Sequence, residues 1–134
     1  MSDYVLDTNT CIYWLKGREE IRRKIEQVGT DNLRMTVITL AELRYGAYNS
    51  QKVEENLKNI DDFLRKVRVL FLSEDAADKF GKIKADLRGA GQIIDDFDIL
   101  IAAITLSNDG VLVTNNIEHF KRVERLKYEN WLEN

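Results

Sequence analysis

The chain has 134 residues, enough for one domain with a real core, and its 44% hydrophobic content is ordinary for a soluble globular protein. A net charge of −3 excludes a protein that coats duplex nucleic acid by bulk charge, so contact with phosphates must use local patches or a bound cation. One cysteine rules out an intrachain disulfide and one histidine rules out Cys/His zinc spacings, while the start and the short apolar runs predict no signal peptide and no membrane span, hence a cytoplasmic protein.

Tyr4-Val5-Leu6 reads as a short buried strand ending at Asp7. Thr8, Asn9 and Thr10 offer N-cap oxygens for a helix carrying Cys11, Ile12, Trp14 and Leu15, which Gly17 stops. Ile21, Ile25 and Val28 share one face of a second helix over 19–28. A turn at 29–32 precedes a branched second strand over 33–38. Thr39 then starts a helix containing Glu42, Leu43 and Tyr45, and Val53, Leu57, Ile60, Leu64 and Val67 form the stripe of a long helix. Val69-Leu70-Phe71 is a third strand, and Ser73 caps a helix whose face is Ala76, Phe80, Ile83 and Leu87. A further helix spans about 96–107, with Gly110 as a left-handed stop. Val111-Leu112-Val113 is a fourth strand, Asn115-Asn116 caps a short helix with Phe120, and 126–131 adds an edge strand. Strands that alternate with helices and are apolar on both faces predict a single α/β domain, 1–134, with a mostly parallel sheet.

Three acids fall where an apolar run gives way to a helical pattern: Asp7, Glu42 and Asp98. Each has a structural explanation. Thr39-x-x-Glu42 has capping-box spacing, Asp7 can accept from the amides of Thr8 to Thr10, and Asp95, Asp96 and Asp98 suit a helix start. As a set they point elsewhere, because strand-to-helix junctions of a parallel sheet lie along one edge. Two carboxylates about 4 Å apart repel by roughly 4 kcal/mol at an effective dielectric near 20. A helix end returns only about 0.3–1 kcal/mol. A gathered cluster therefore calls for protonation or a hard cation, and all-oxygen donors suit Mg²⁺ or Mn²⁺. Cys11, Trp14 and Trp131 read as packing residues, and His119 as a surface or cap residue. The short basic clusters read as solvated faces, and Arg44 is the better candidate for a phosphate contact.

The chain resembles the PIN-domain family, and within it the VapC-type toxins of toxin-antitoxin pairs. Four blocks in order carry the resemblance: 4–9, 39–46, 98–103 after Gly91-x-Ile93, and 112–116 followed by Phe120, with Trp131 near the end. It implies a three-layer α/β/α fold and a Mg²⁺-dependent endoribonuclease with Asp7, Glu42 and Asp98 as its acidic site. It implies a homodimer and a cognate antitoxin that blocks the site. Many members carry Asp where this chain has Asn116, which adds no charge and points to one ion rather than two. The expected division of labour has Asp7 and Asp98 on the metal and Glu42 on the water side. Thr8, Asp96, Thr114 and Asn116 support them, and Arg44 holds the RNA backbone. Structured RNA such as tRNA is the expected substrate class. Two rivals remain. A non-catalytic interaction module would use the acids as caps. An aspartyl-phosphate enzyme is disfavoured, because Asp7-Thr8-Asn9 lacks a second aspartate two residues on and no lysine follows the 111–113 strand.

Overall fold

A computed structural model describes residues 3–132. Within them the branched runs form β1 (Tyr4–Leu6), β2 (Leu33–Thr36), β3 (Arg68–Leu70), β4 (Val111–Val113) and β5 (Lys127–Glu129). All pair in parallel, in the order β3-β2-β1-β4-β5. The chain builds outward from β1 to β3, then returns to lay β4 and β5 on the other side of β1. That reversal puts a topological switch point between the C-terminal ends of β1 and β4, where open parallel sheets bind ligands.

Helices cover both faces, and the alternation of side chains along each strand decides which core each residue enters. Leu6, Leu33, Met35 and Val113 point into one core with α1 (Thr8–Leu15), α2 (Glu19–Val28), α3 (Val37–Tyr48) and α4 (Val53–Leu64). Val5 and Leu112 point into the other, against α5 (Glu74–Gly89), α6 (Asp96–Ser107) and α7 (Ile117–Phe120). The result is the expected α/β/α sandwich. Trp14 meets Phe63 edge-on at 4.6 Å and Trp131 stacks obliquely on Tyr4 at 5.4 Å, so both tryptophans pack the first core. No helix among the described residues is long and apolar enough to cross a membrane.

Several local expectations fail for identifiable reasons. Val37 and Ile38 are the first turn of α3 and not the end of a strand, because the Thr36 hydroxyl caps the helix by accepting from the Thr39 amide at 3.2 Å. A hydroxyl cap outweighs the strand preference of the β-branched run. Thr39 is therefore buried inside α3, and the capping box with Glu42 does not form. The long stripe ends at Leu64, and Val67 is buried beyond the helix. The third strand ends at Leu70, and Phe71 is exposed. The left-handed residue after α6 is Asp109, with φ of 53°. Gly110 is required for space instead: a Cβ there would stand 2.9 Å from Val5 Cγ2. Asn116 takes the N-cap position of α7 without a side-chain cap bond.

Candidate active site

Asp7 lies at the switch point. It follows β1, its amide bonds the Val113 carbonyl of β4 at 3.0 Å, and its Oδ1 caps α1 by accepting from the Thr10 amide at 2.9 Å. The Thr10 hydroxyl donates to the same Val113 carbonyl at 3.1 Å, which pins the start of α1 to the sheet. Only 5% of Asp7 is exposed. Burial pushes its carboxyl pKa up, hydrogen bonds from Thr114 and Thr10 pull it back, and the Asp98 charge raises it again. Thr114 Oγ1 in turn accepts from the Asn116 amide at 2.9 Å, so the end of β4 holds the donor that faces Asp7. No Lys or Arg among the described residues pairs with this buried acid.

Asp98 is the third residue of α6. It stands after a helix and not after a strand, because α5 and α6 together make the crossover from β3 to β4. Its carboxyl is half-buried; burial raises its pKa, the His119 contact lowers it and the Asp95 charge raises it. Glu42 sits in the second turn of α3, where the Thr8 hydroxyl donates to its Oε1 at 2.6 Å and lies 3.2 Å from the Thr39 hydroxyl. Thr8 follows Asp7 directly, so this bond ties Glu42 to the β1 end. The acids thus converge on one edge from three elements. They do not close into a cage: among the described residues, no three His, Cys, Asp or Glu side chains are close enough together to ligate one ion. The donor set still fits a hard divalent cation, since it offers a buried carboxylate beside a half-buried one with no basic side chain to neutralise Asp7.

A model of the PIN domain matches residues 4–126. The chain belongs to the PIN-domain family. Ribonuclease VapC2 of Haemophilus influenzae is 41% identical to it over 133 residues, spanning 98% of this chain and 100% of the relative. The tRNA(fMet)-specific endonuclease VapC of Salmonella typhimurium is 36% identical over 131 residues, spanning 98% and 99%. Among solved structures, VapBC2 from Rickettsia felis, bound to a DNA fragment from the promoter, superposes with a TM-score of 0.90 at 35% identity, over 96% of this chain and 98% of that one. These full-length matches place this PIN domain in the VapC ribonuclease group.

The remaining candidates of the PIN domain divide. Thr8 and Thr114 touch Glu42 and Asp7 respectively. Asp96 turns to Lys84 of α5 at 2.9 Å and is not drawn into the acidic group. Arg44 is engaged with Asp61 of α4 at 2.9 Å. His119, read as a surface or cap residue, is instead part of the site: its Nδ1 lies 3.4 Å from Asp98 Oδ2 and 2.9 Å from Asn116 Nδ2. The sequence held one signal for this, since residues 116 and 119 are one turn apart on a short helix that follows the Thr-Asn-Asn block. Beside Glu42, a groove of about 310 Å³ opens between α1, α3 and α4, with Lys16, Asn56 and Asn59 on its walls.

Proposed function

We propose that this VapC-type ribonuclease hydrolyses RNA phosphodiester bonds as a divalent-metal-dependent endonuclease, with Asp7, Glu42 and Asp98 as its acidic machinery. The observation that carries the reading is the buried Asp7 at the β1–β4 switch point, with no basic partner among the described residues and within reach of the Asp98 charge, in a chain that matches VapC ribonucleases over nearly its whole length. Asp7 and Asp98 would hold the ion, Mg²⁺ or Mn²⁺. When bound, it supplies Lewis-acid stabilisation of phosphate charge and a more acidic water. Thr114 fixes the Asp7 carboxylate by hydrogen bonding, and Asn116 fixes Thr114. Glu42, oriented by Thr8, would accept a proton from the attacking water. Arg44 would reach an RNA phosphate by leaving Asp61, an exchange with little cost for a surface pair.

The substrate is structured RNA, with tRNA the first candidate because one close relative is a tRNA(fMet)-specific endonuclease. The chain acts in the cytoplasm as the toxin of a toxin-antitoxin pair, as a homodimer held by a cognate antitoxin, by analogy with the VapBC complexes it superposes on. The capping alternative accounts for Asp7 but not for Glu42, which caps nothing. The deciding assay is cleavage of a tRNA pool with Mg²⁺, Mn²⁺ or EDTA, comparing wild type with Asp98→Asn. Cleavage that survives EDTA, or a fully active Asp98→Asn, would overturn the proposal.

A further inference from the structure

The Thr39-x-x-Glu42 spacing makes no capping box, and the fold puts it to another use. Residues one turn apart on a helix share a face, so Thr39 and Glu42 leave α3 on the same side. That side meets the start of α1, where the Thr8 hydroxyl lies 2.6 Å from Glu42 Oε1 and 3.2 Å from Thr39 Oγ1. Thr8 is thus gripped by two groups carried on one helix. Its single hydroxyl proton can serve only one of them. The shorter contact, to the carboxylate, takes it. The Thr39 hydroxyl is left to donate to Thr8 Oγ1. Thr39 has no exposed surface, and among the described residues its hydroxyl has no hydrogen-bonding partner other than Thr8. Thr39 is itself fixed at the end of β2, because its amide donates to the Thr36 hydroxyl at 3.2 Å.

We propose that Thr39 is a positioning residue for the cleavage reaction, holding the Thr8 hydroxyl in the orientation that fixes Glu42. The proposal rests on the role given to Glu42 above. Thr8 is only partly buried and stands in the first turn of α1, where a threonine hydroxyl can also turn to the backbone or to water. Thr39 removes that freedom. If Thr8 turned away, a fully buried hydroxyl would lose its partner, and the desolvation cost of such an orphan exceeds what a half-exposed hydroxyl gains from water. Glu42 is long and flexible, so a fixed bond to one of its carboxylate oxygens limits where the other can point. The competing account makes Thr39 a core residue whose hydroxyl is merely satisfied by Thr8. Its loss then costs stability and leaves the chemistry alone.

The test uses the full chain at saturating divalent ion and one tRNA that wild type cleaves. Maximal single-turnover rate, half-saturating enzyme concentration and urea unfolding are measured for Thr39→Val, Thr39→Ala, Thr39→Ser, Thr8→Val, the Thr8→Val/Thr39→Val double variant and Glu42→Gln. Rates are taken per folded fraction. Thr39→Val keeps the shape of the side chain and should lose about tenfold in maximal rate, with half-saturation moving less than about twofold. Thr39→Ala should match it. Thr39→Ser, which deletes the buried methyl and keeps the hydroxyl, should be less stable than wild type yet cleave like it. In the Thr8→Val background, Thr39→Val should lower the rate no further and should restore stability, since it removes the orphaned hydroxyl. Equal losses of rate in Thr39→Ser and Thr39→Val, or a full further loss in the double variant, overturn the proposal. Wild-type rates in Thr39→Val and Thr39→Ala overturn it alone if Glu42→Gln has lost cleavage. A Glu42→Gln variant as active as wild type overturns the role of Glu42 and this inference with it.

Discussion

Asp7 carries a conflict between stability and function. Its carboxylate is buried with no basic partner among the described residues, and its pKa is raised chiefly by burial. A raised folded pKa means the native state binds the proton more tightly than the unfolded state. The stabilising effect is therefore fully present below the unfolded value, 3.8, and is lost as pH rises through the folded value. In metal-free melts, the Tm of Asp7→Asn should gain on that of wild type as pH goes from about 4 to about 7.5. Asn retains an N-cap oxygen, so α1 keeps its start. A difference in Tm that stays flat across this range would remove the argument. In cleavage assays, Thr114→Val should lose roughly 10–100-fold in activity, because it removes the donor that fixes Asp7. Asp98→Asn should lose at least as much. Residue chemistry marked the acids in the sequence, but it could not mark His119, whose role depends on a contact with Asp98 across 21 positions.

At the scale of elements, most helices and strands were legible because their apolar periods are clean. Glu19–Val28 and Asp96–Ser107 form where the stripes place them. Errors cluster where two local preferences compete, as at Thr36 to Thr39, where strand-favouring residues also supply a cap. Glycine 110 is another case: the sequence suggested a backbone role, whereas the requirement is close packing of the α6–β4 turn on β1. Gly110→Ala should cost about 1–3 kcal/mol in urea unfolding, since the added methyl meets Val5 Cγ2 and the Asp3 carbonyl within a tight turn. Ser73→Ala should cost about 1 kcal/mol through the lost cap of α5. Neither position touches the acidic site, so cleavage by the folded fraction should match wild type in both; a selective loss of activity would show that this separation is wrong.

For the whole molecule, a divalent ion that binds only the folded state should raise its stability, by about 2.7 kcal/mol at a hundredfold excess over Kd. Thermal melts with Mg²⁺ or Mn²⁺ should show the rise in wild type and not in Asp98→Asn, and equal shifts in both would place the ion elsewhere. The sequence by itself determined the alternation of strands and helices and the two-faced core, and marked the three acids as candidates, because periodicity and residue chemistry are local. Only the tertiary structure decided which junctions meet. Strand order is set by long-range pairing, and the return of the chain across β1 brings the ends of β1 and β4 side by side. That return joins Thr114 to Asp7 and brings the Asn116–His119 pair up to Asp98, while packing within each layer turns Asp96 to Lys84 and Arg44 to Asp61. Such orientations depend on neighbours distant in the chain, which no local pattern encodes.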